Sequence, residues 1–314
     1  MNQKRMIIVL MLVILSSLSV LLLWIPYFEV YSGTLVVRSG HADDQGIYLL
    51  YPYINYWERL TPKDMVPSYM ALSPNGETLA FLYSRPGPKP ESGIALLSLR
   101  NQQIKKYVIT PYQAYFHLLT WTHDGQSIFF HIHSEGHVID FQKLDIKTGH
   151  MSSFEIYEKT RSWESINSFA ISAAGNFAIE DNGYIYITSN DMNEINLLTK
   201  GRSIFLTPDG DIAFLCQGEN ENLNLCNYSF ENHKLTKIPF RGENNKSVSF
   251  TTANWSWDER YLVYNKEHGE GDPDYIMMYD TKNAKTYQIY EESWFSRMFG
   301  SRVRIDEIAW FSKR

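Results

Sequence analysis

A surplus of positive charge is missing from this 314-residue chain, in which 29 Lys and Arg stand against 35 Asp and Glu for a formal net charge of −6. Without a basic field there is no general attraction to phosphate backbones, so nucleic acid is not expected as a partner. Two motifs of catalysis are missing as well. No Gly-x-Ser-x-Gly elbow occurs, which removes the hydrolases built on that turn, and no glycine-rich phosphate loop occurs, which removes the nucleotide-binding classes that need one. No cofactor is expected. The composition of disorder is absent too, since 44% of residues are apolar and 20% charged, enough to bury a substantial core. Cysteine is scarce: Cys216 and Cys226 are the two in the chain, and they flank "QGENENLNL", which reads as a hairpin loop and the start of its return strand. They form either a disulfide across that hairpin or a reduced pair buried between sheets.

Long apolar runs are also scarce, with one exception. "MIIVLMLVILSSLSVLLLWI", Met6 to Ile25, is 20 residues without a charge. At about 1.5 Å rise per residue a helix of that length reaches about 30 Å, the thickness of a bilayer's hydrocarbon core. Lys4 and Arg5 precede the run and Glu29 is the first charge after it. The positive-inside tendency therefore sets residues 1–5 in the cytoplasm, 6–25 across the membrane, 26–33 as a short linker and 34–314 outside, periplasmic or extracellular. A cleavable signal peptide is the competing reading, with Ser17 and Ser19 near its cleavage site. Cleavage there would leave "VLLLWIPYF" exposed at a new N-terminus, so an uncleaved anchor is preferred.

What is abundant is one short phrase. "ALSPNGETLAF" at 71 to 81 returns as "LLTWTHDGQSIFF", "SFAISAAGNFAI", "SIFLTPDGDIAF" and "TANWSWDERYLVY". Its Ser or Thr falls at 73, 122, 172, 207 and 256, giving spacings of 49, 50, 35 and 49 residues. Each copy is an apolar strand, a tight turn made by Ser or Thr with Pro, Asp, Asn and Gly, and a return strand apolar on consecutive residues. Consecutive apolar residues mark a sheet covered on both faces. A polar loop and two more strands follow each copy, so five four-stranded units run from about residue 68 to 291. Three strands at the start, "TLVVR", "GIYLLY" and "INYWERL", lack a first strand, and "RIDEIAWF" at the end supplies one. The predicted fold is all-β: a six-bladed β-propeller whose N- and C-terminal strands close one blade, preceded by one transmembrane helix.

"SPNGETLAF", "THDGQSIFF" and "TPDGDIAF" resemble the Ser-Pro-Asp-Gly repeats of TolB-type β-propellers, over roughly residues 34 to 314. The resemblance implies a six-bladed propeller, often extracytoplasmic, that acts mainly as a platform for other proteins. The motif builds turns and cores, and leaves function to the loops.

Two candidate sites follow. The second-to-third strand loops all leave one face of the ring, and they carry Asp43, Asp44, Glu135, Glu219, Glu221, Glu270, Asp272 and Asp274, with Glu91, Glu180, Asp181 and Glu267 beside them. Arg85, Lys89 and Lys266 oppose these twelve acids. A face of that sign would attract a basic protein segment or a divalent cation. The second candidate is "HIHSEGH", where His131 and His133 share one face of a strand and His137 lies beyond a short turn. These imidazoles could ligate a transition metal, the basis for an alternative reading as a metal-dependent, lyase-like carbohydrate enzyme. A third reading is a sensor with a small ligand in the channel. The leading expectation is a membrane-anchored, protein-binding component of an envelope complex, with enzymatic activity left open under the alternative.

Overall fold

The computed structural model describes residues 34–39, 45–52, 56–110, 115–133, 139–154, 166–188, 195–207, 209–217, 223–238, 253–256, 260–266, 275–291 and 305–311. The regular elements are strands throughout, and among the described residues no helix is long and apolar enough to cross a membrane. The expected anchor at 6–25 lies outside the described residues.

The chain opens with β1 (Thr34–Ser39), β2 (Gly46–Tyr51) and β3 (Tyr56–Arg59). The last strand, β23 (Ile305–Phe311), completes their sheet by pairing antiparallel with β1, Thr34 opposite Phe311 and Val37 opposite Ile308. The seam expected between "RIDEIAWF" and "TLVVR" is present, and it satisfies an edge of β1 that would otherwise be bare. The next sheet is β4 (Val66–Leu72), β5 (Thr78–Arg85), β6 (Glu91–Ser98) and β7 (Ile104–Thr110). The third is β8 (Tyr115–Trp121), β9 (Ser127–His133), β10 (Ile139–Asp145) and β11 (Met151–Phe154).

After these come β12 (Ile166–Ile171), β13 (Phe177–Asp181), β14 (Tyr184–Thr188), β15 (Ile195–Leu206), β16 (Ile212–Gln217), β17 (Leu223–Ser229) and β18 (Lys234–Ile238), all in one sheet. The final sheet is β19 (Ala253–Trp255), β20 (Tyr261–Lys266), β21 (Tyr275–Asp280) and β22 (Lys285–Glu291). Six separate four-stranded sheets were expected. Four are found, with one continuous seven-stranded sheet in place of the other two.

The reason is β15, whose 12 residues run straight through the point where the sequence suggested a break between "EINLL" and "SIFL". Its first part pairs with β14, Thr188 opposite Ile195, and its last part with β16, Leu206 opposite Ile212. Gly201 sits at the changeover, where a Cβ would come within 2.6 Å of the Leu215 carbonyl oxygen. Only a glycine lets the strands approach so closely. The 35-residue spacing is the sequence trace of this missing connection.

The core lies between the sheets. Val36 and Leu49 of the first pack on Leu79 and Phe81 of the second, and Leu35 and Val37 pack on Val263 and Ile276 across the other flank. Ala170 and Ile185 pack against Ile212 and Phe214, so the seven-stranded sheet folds at β15 with its two halves face to face. Every sheet is thus covered on both faces, which explains return strands such as Leu79 to Tyr83, apolar at each position and buried at each.

The repeated phrase closes each first strand in the same way. Ser73 N–H donates to Thr78 O, and Thr78 N–H returns to Ser73 Oγ at 2.9 Å. Asn75 Oδ1 accepts from the Ser73 hydroxyl at 2.7 Å and from Glu77 N–H at 3.1 Å. Thr122 and Asp124 repeat the arrangement, with Ser127 N–H on Thr122 Oγ1 and Gln126 N–H on Asp124 Oδ1. Thr207 donates its hydroxyl to Asp209. Gly76 and Gly210 take φ of 72° and 88°, the left-handed region the turn demands. Strand ends read from the phrase, at Leu72, Trp121, Ile171, Leu206 and Trp255, coincide with the ends of β4, β8, β12, β15 and β19.

Candidate functional site

The first strand of each unit lies innermost. β23, β4, β8, β12, the end of β15 and β19 follow one another in contact, and β19 returns to β23. Together they surround a cavity of about 1220 Å³. Its wall is built from mid-strand residues such as Tyr69, Leu119, Asn167, Phe205, Asn254 and Glu307. The mouth on the turn side is framed by Pro74, Asn75, Arg100, His123 and Thr207.

The inner strands bulge halfway along. Register slips between Ser68 and Met70, between His117 and Leu119, between Ile166 and Ser168, and between Arg202 and Phe205. Tyr69, Leu118 and Ser203 take positive φ there, 41°, 57° and 58°. A bulge releases backbone N–H groups from the ladder, and a buried N–H must find another acceptor.

Buried carboxylates supply it at two places. Met70 N–H donates to Glu307 Oε2, joining β4 to β23 across the seam between sheets. Ser203 N–H and the Ser168 hydroxyl both donate to Glu180 Oε2 at 2.6 Å, and Ile204 N–H donates to Ser168 Oγ at 2.9 Å. Arg38 completes the first group, with Nη1 2.9 Å from Asp306 and Nη2 3.3 Å from Glu307. Burial raises the Glu307 carboxyl above its ordinary pKa of 4.5, against the lowering pull of Arg38 and the Met70 N–H. Burial likewise raises the Tyr69 phenol, and the nearby Glu307 adds to the effect. A third bridge between inner strands is the Trp121 indole N–H on Ala71 O at 2.9 Å. In the channel wall, Glu307 and Asp306 are therefore engaged in holding strands together, and Glu180 does the same behind it.

The acidic loop residues predicted from sequence, Asp43, Asp44, Glu135, Glu219, Glu221, Glu270, Asp272 and Asp274, lie outside the described residues, as does His137. Three of the flanking acids are described, and they are not free loop charges. Glu180 and Asp181 are buried within β13, because Asn182 and Gly183, at φ 52° and 78°, form a two-residue turn that leaves both acids in the strand. Glu91 opens β6 and accepts from the Tyr83 hydroxyl at 2.5 Å and Lys106 Nζ at 3.1 Å. The Tyr83 bond, then Lys106, hold its carboxyl below the usual range.

His131 lies on β9 opposite Phe141 and is 6% exposed, its ring 5.4 Å from the Phe141 ring. His133 lies two residues on in the same strand. Among the described residues no group of three His, Cys, Asp or Glu side chains is placed to hold a metal. Cys216 and Cys226, left open by the sequence, are joined in a disulfide between β16 and β17 with Cα atoms 5.8 Å apart.

Sheets packed in a closed round about a central channel define a β-propeller. No family model matches the chain, and no curated protein matches it either. Solved structures do. TolB from Acinetobacter baumannii is similar with a TM-score of 0.63 at 15% identity, covering 90% of this chain and 67% of that one. An oligogalacturonate lyase in complex with manganese is similar with a TM-score of 0.53 at 12% identity, over 82% of this chain and 74% of the lyase. A puromycin hydrolase has the same TM-score and identity, and this chain spans 44% of its length. The fold is that of the TolB-type propellers.

Proposed function

We propose that this chain is a membrane-anchored, extracytoplasmic propeller of six blades that binds another protein within an envelope complex. Counting the two halves of the seven-stranded sheet as two blades that share β15 gives the six, and the six inner strands around the channel support that count. The observation that carries the binding role is the channel wall. It encloses about 1220 Å³, and Arg38, Asp306 and Glu307 in it are paired with one another and tie β4 to β23, as suits a rigid platform whose loops and rim make the contacts. The Cys216–Cys226 disulfide supports a location outside the reducing cytoplasm. Residues 6–25 serve as the anchor, with 1–5 in the cytoplasm. The partner is a protein with a basic segment that meets the acidic loops, Asp43, Asp44, Glu135, Glu219, Glu221, Glu270, Asp272 and Asp274. Changing Asp272 and Asp274 to Lys is expected to weaken capture of that partner in a membrane pull-down. Undiminished capture would remove the acidic face from the mechanism.

A second reading, a metal-dependent lyase acting through His131, His133 and His137, is favoured by the similarity to a manganese-bound oligogalacturonate lyase. The burial of His131 against Phe141 weighs against it. Stoichiometric manganese in the purified protein, lost on changing His133 and His137 to Ala, would replace the first reading with this one.

A further inference from the structure

Strand direction fixes which end of the ring the anchor leaves from. β1 begins at Thr34, whose partner across the sheet is Phe311, the last residue of β23. At that same end lie the turns joining first to second and third to fourth strands, tied to each other by Leu99 N–H on Glu77 O, Ile146 N–H on Gln126 O and Thr281 N–H on Arg260 O. The second-to-third connections, which carry the acidic loops, leave the opposite end. Residues 26–33 separate Thr34 from the apolar run, and eight residues fully extended reach about 28 Å at most. If 6–25 spans the membrane, as proposed above and as this inference requires, the turn end lies close to the bilayer and the acidic loops point away.

The turn end is not uniform around its circumference. Tyr56, in the same sheet as Thr34, is 53% exposed, with its ring 5.8 Å from Tyr51. The neighbouring sheet on one side presents Lys282 and Lys285, and the one on the other side presents Arg100, all three exposed. Among the described residues Glu77 is the exposed acid facing this sector; Asp258 and Glu259, in the connection from β19 to β20, lie outside the described residues. Across the ring, the same end carries the exposed acids Asp124, Asp209 and Glu231, with Lys147 and Lys234 among them. Among the described residues, exposed Arg100, Lys282, Lys285 and Tyr56 thus lie beside the root of the anchor with Glu77, and Asp124, Asp209 and Glu231 lie across from it.

We propose that this sector is a membrane-contact surface for anionic lipid headgroups. Tyrosine is favoured at the level of the headgroups, where an apolar ring and a hydroxyl both find a suitable medium, and Lys and Arg near a bilayer are drawn to anionic phosphates. Docked in this way the ring rests with its turn end on the bilayer. The acidic loops and the far channel mouth then stand clear for the partner.

The test uses the full chain in phosphatidylcholine vesicles with and without phosphatidylglycerol. Spin labels are placed through Asn101→Cys, beside Arg100 on the turn end, and Tyr184→Cys, exposed on the opposite end. A nickel-chelating lipid is expected to relax the label at 101 severalfold more strongly than the label at 184, and more so in anionic vesicles. Changing Arg100, Lys282 and Lys285 together to Glu is expected to abolish the dependence on anionic lipid while leaving the spectrum at 184 unchanged. Flotation of the same samples separates the two layers of the argument. A chain that fails to float with the vesicles overturns the anchor and this proposal with it. A chain that floats but shows equal relaxation at both labels, or no effect of lipid charge, overturns the contact surface alone.

Discussion

Gly76 and Gly210 occupy the same place in two copies of the repeated turn, at φ 72° and 88°. A Cβ on Gly76 would meet nothing within 4 Å, whereas one on Gly210 would come within 2.6 Å of the Ala173 Cβ and 3.1 Å of His123 Nδ1. Gly76→Ala is therefore expected to cost about 1 kcal/mol, from backbone strain alone. Gly210→Ala is expected to cost roughly 1–3 kcal/mol more, because overpacking adds to the strain. Urea unfolding of the two variants measures the difference, and equal costs would show that the turn at 210 can move off its neighbour. This is also the scale at which the sequence is most legible. In three copies a Ser or Thr followed by Asn or Asp and Gly carries its hydrogen-bond acceptors with it, and in the other two Ser172 and Ser256 accept the returning N–H with their hydroxyls, so the ends of five strands follow from local chemistry. The reading of the loops misplaced Glu180 and Asp181, setting both outside the strands, whereas the turn there needs only Asn182 and Gly183.

Among the elements, the contact between β23 and β4 depends on Glu307, 237 residues from the Met70 N–H it accepts. No periodicity or motif announces such a pair, because a bulge depends on how two strands register and on which neighbour faces them. A channel followed from the expected ring, but the side chains that line it did not, being gathered from separated stretches of the chain. The Glu307 pKa is raised on folding, so the native state holds the proton more tightly than the unfolded chain. Its contribution to stability is present in full below about pH 4.5 and is lost as pH rises through the higher folded value. Glu307→Gln keeps an acceptor for Met70 N–H and cannot ionise. The stability of the parent relative to this variant is expected to fall as pH is raised from 4.5, followed by thermal unfolding across the range. A difference that stays flat, or grows with pH, would show that Arg38 outweighs burial at this site.

For the whole molecule, closure was foreseen from the eight residues "RIDEIAWF" left over at one end and three strands at the other, and it is found as β23 beside β1. β23 also touches β4 and β19, so it is the piece that turns a row of sheets into a round. Removing residues 305–314 exposes the edge of β1 and opens the core formed by Leu35, Val37 and Ile308. The shortened chain is expected to lose its single cooperative unfolding transition and to elute as aggregate in size-exclusion chromatography. A monomer that still unfolds in one step would mean that the remaining sheets are stable as an open arc.

β15 sets a limit of another kind. Other seams in this protein are crossed by a connection that could be lengthened, or cut to make new chain ends elsewhere, but between β14 and β16 one strand belongs to both sheets and there is no slack to spend. Circular permutants opened near Gly201 would break the pairing of β15 with β14 and with β16 in one cut, so the two halves of the folded seven-stranded sheet stand or fall together.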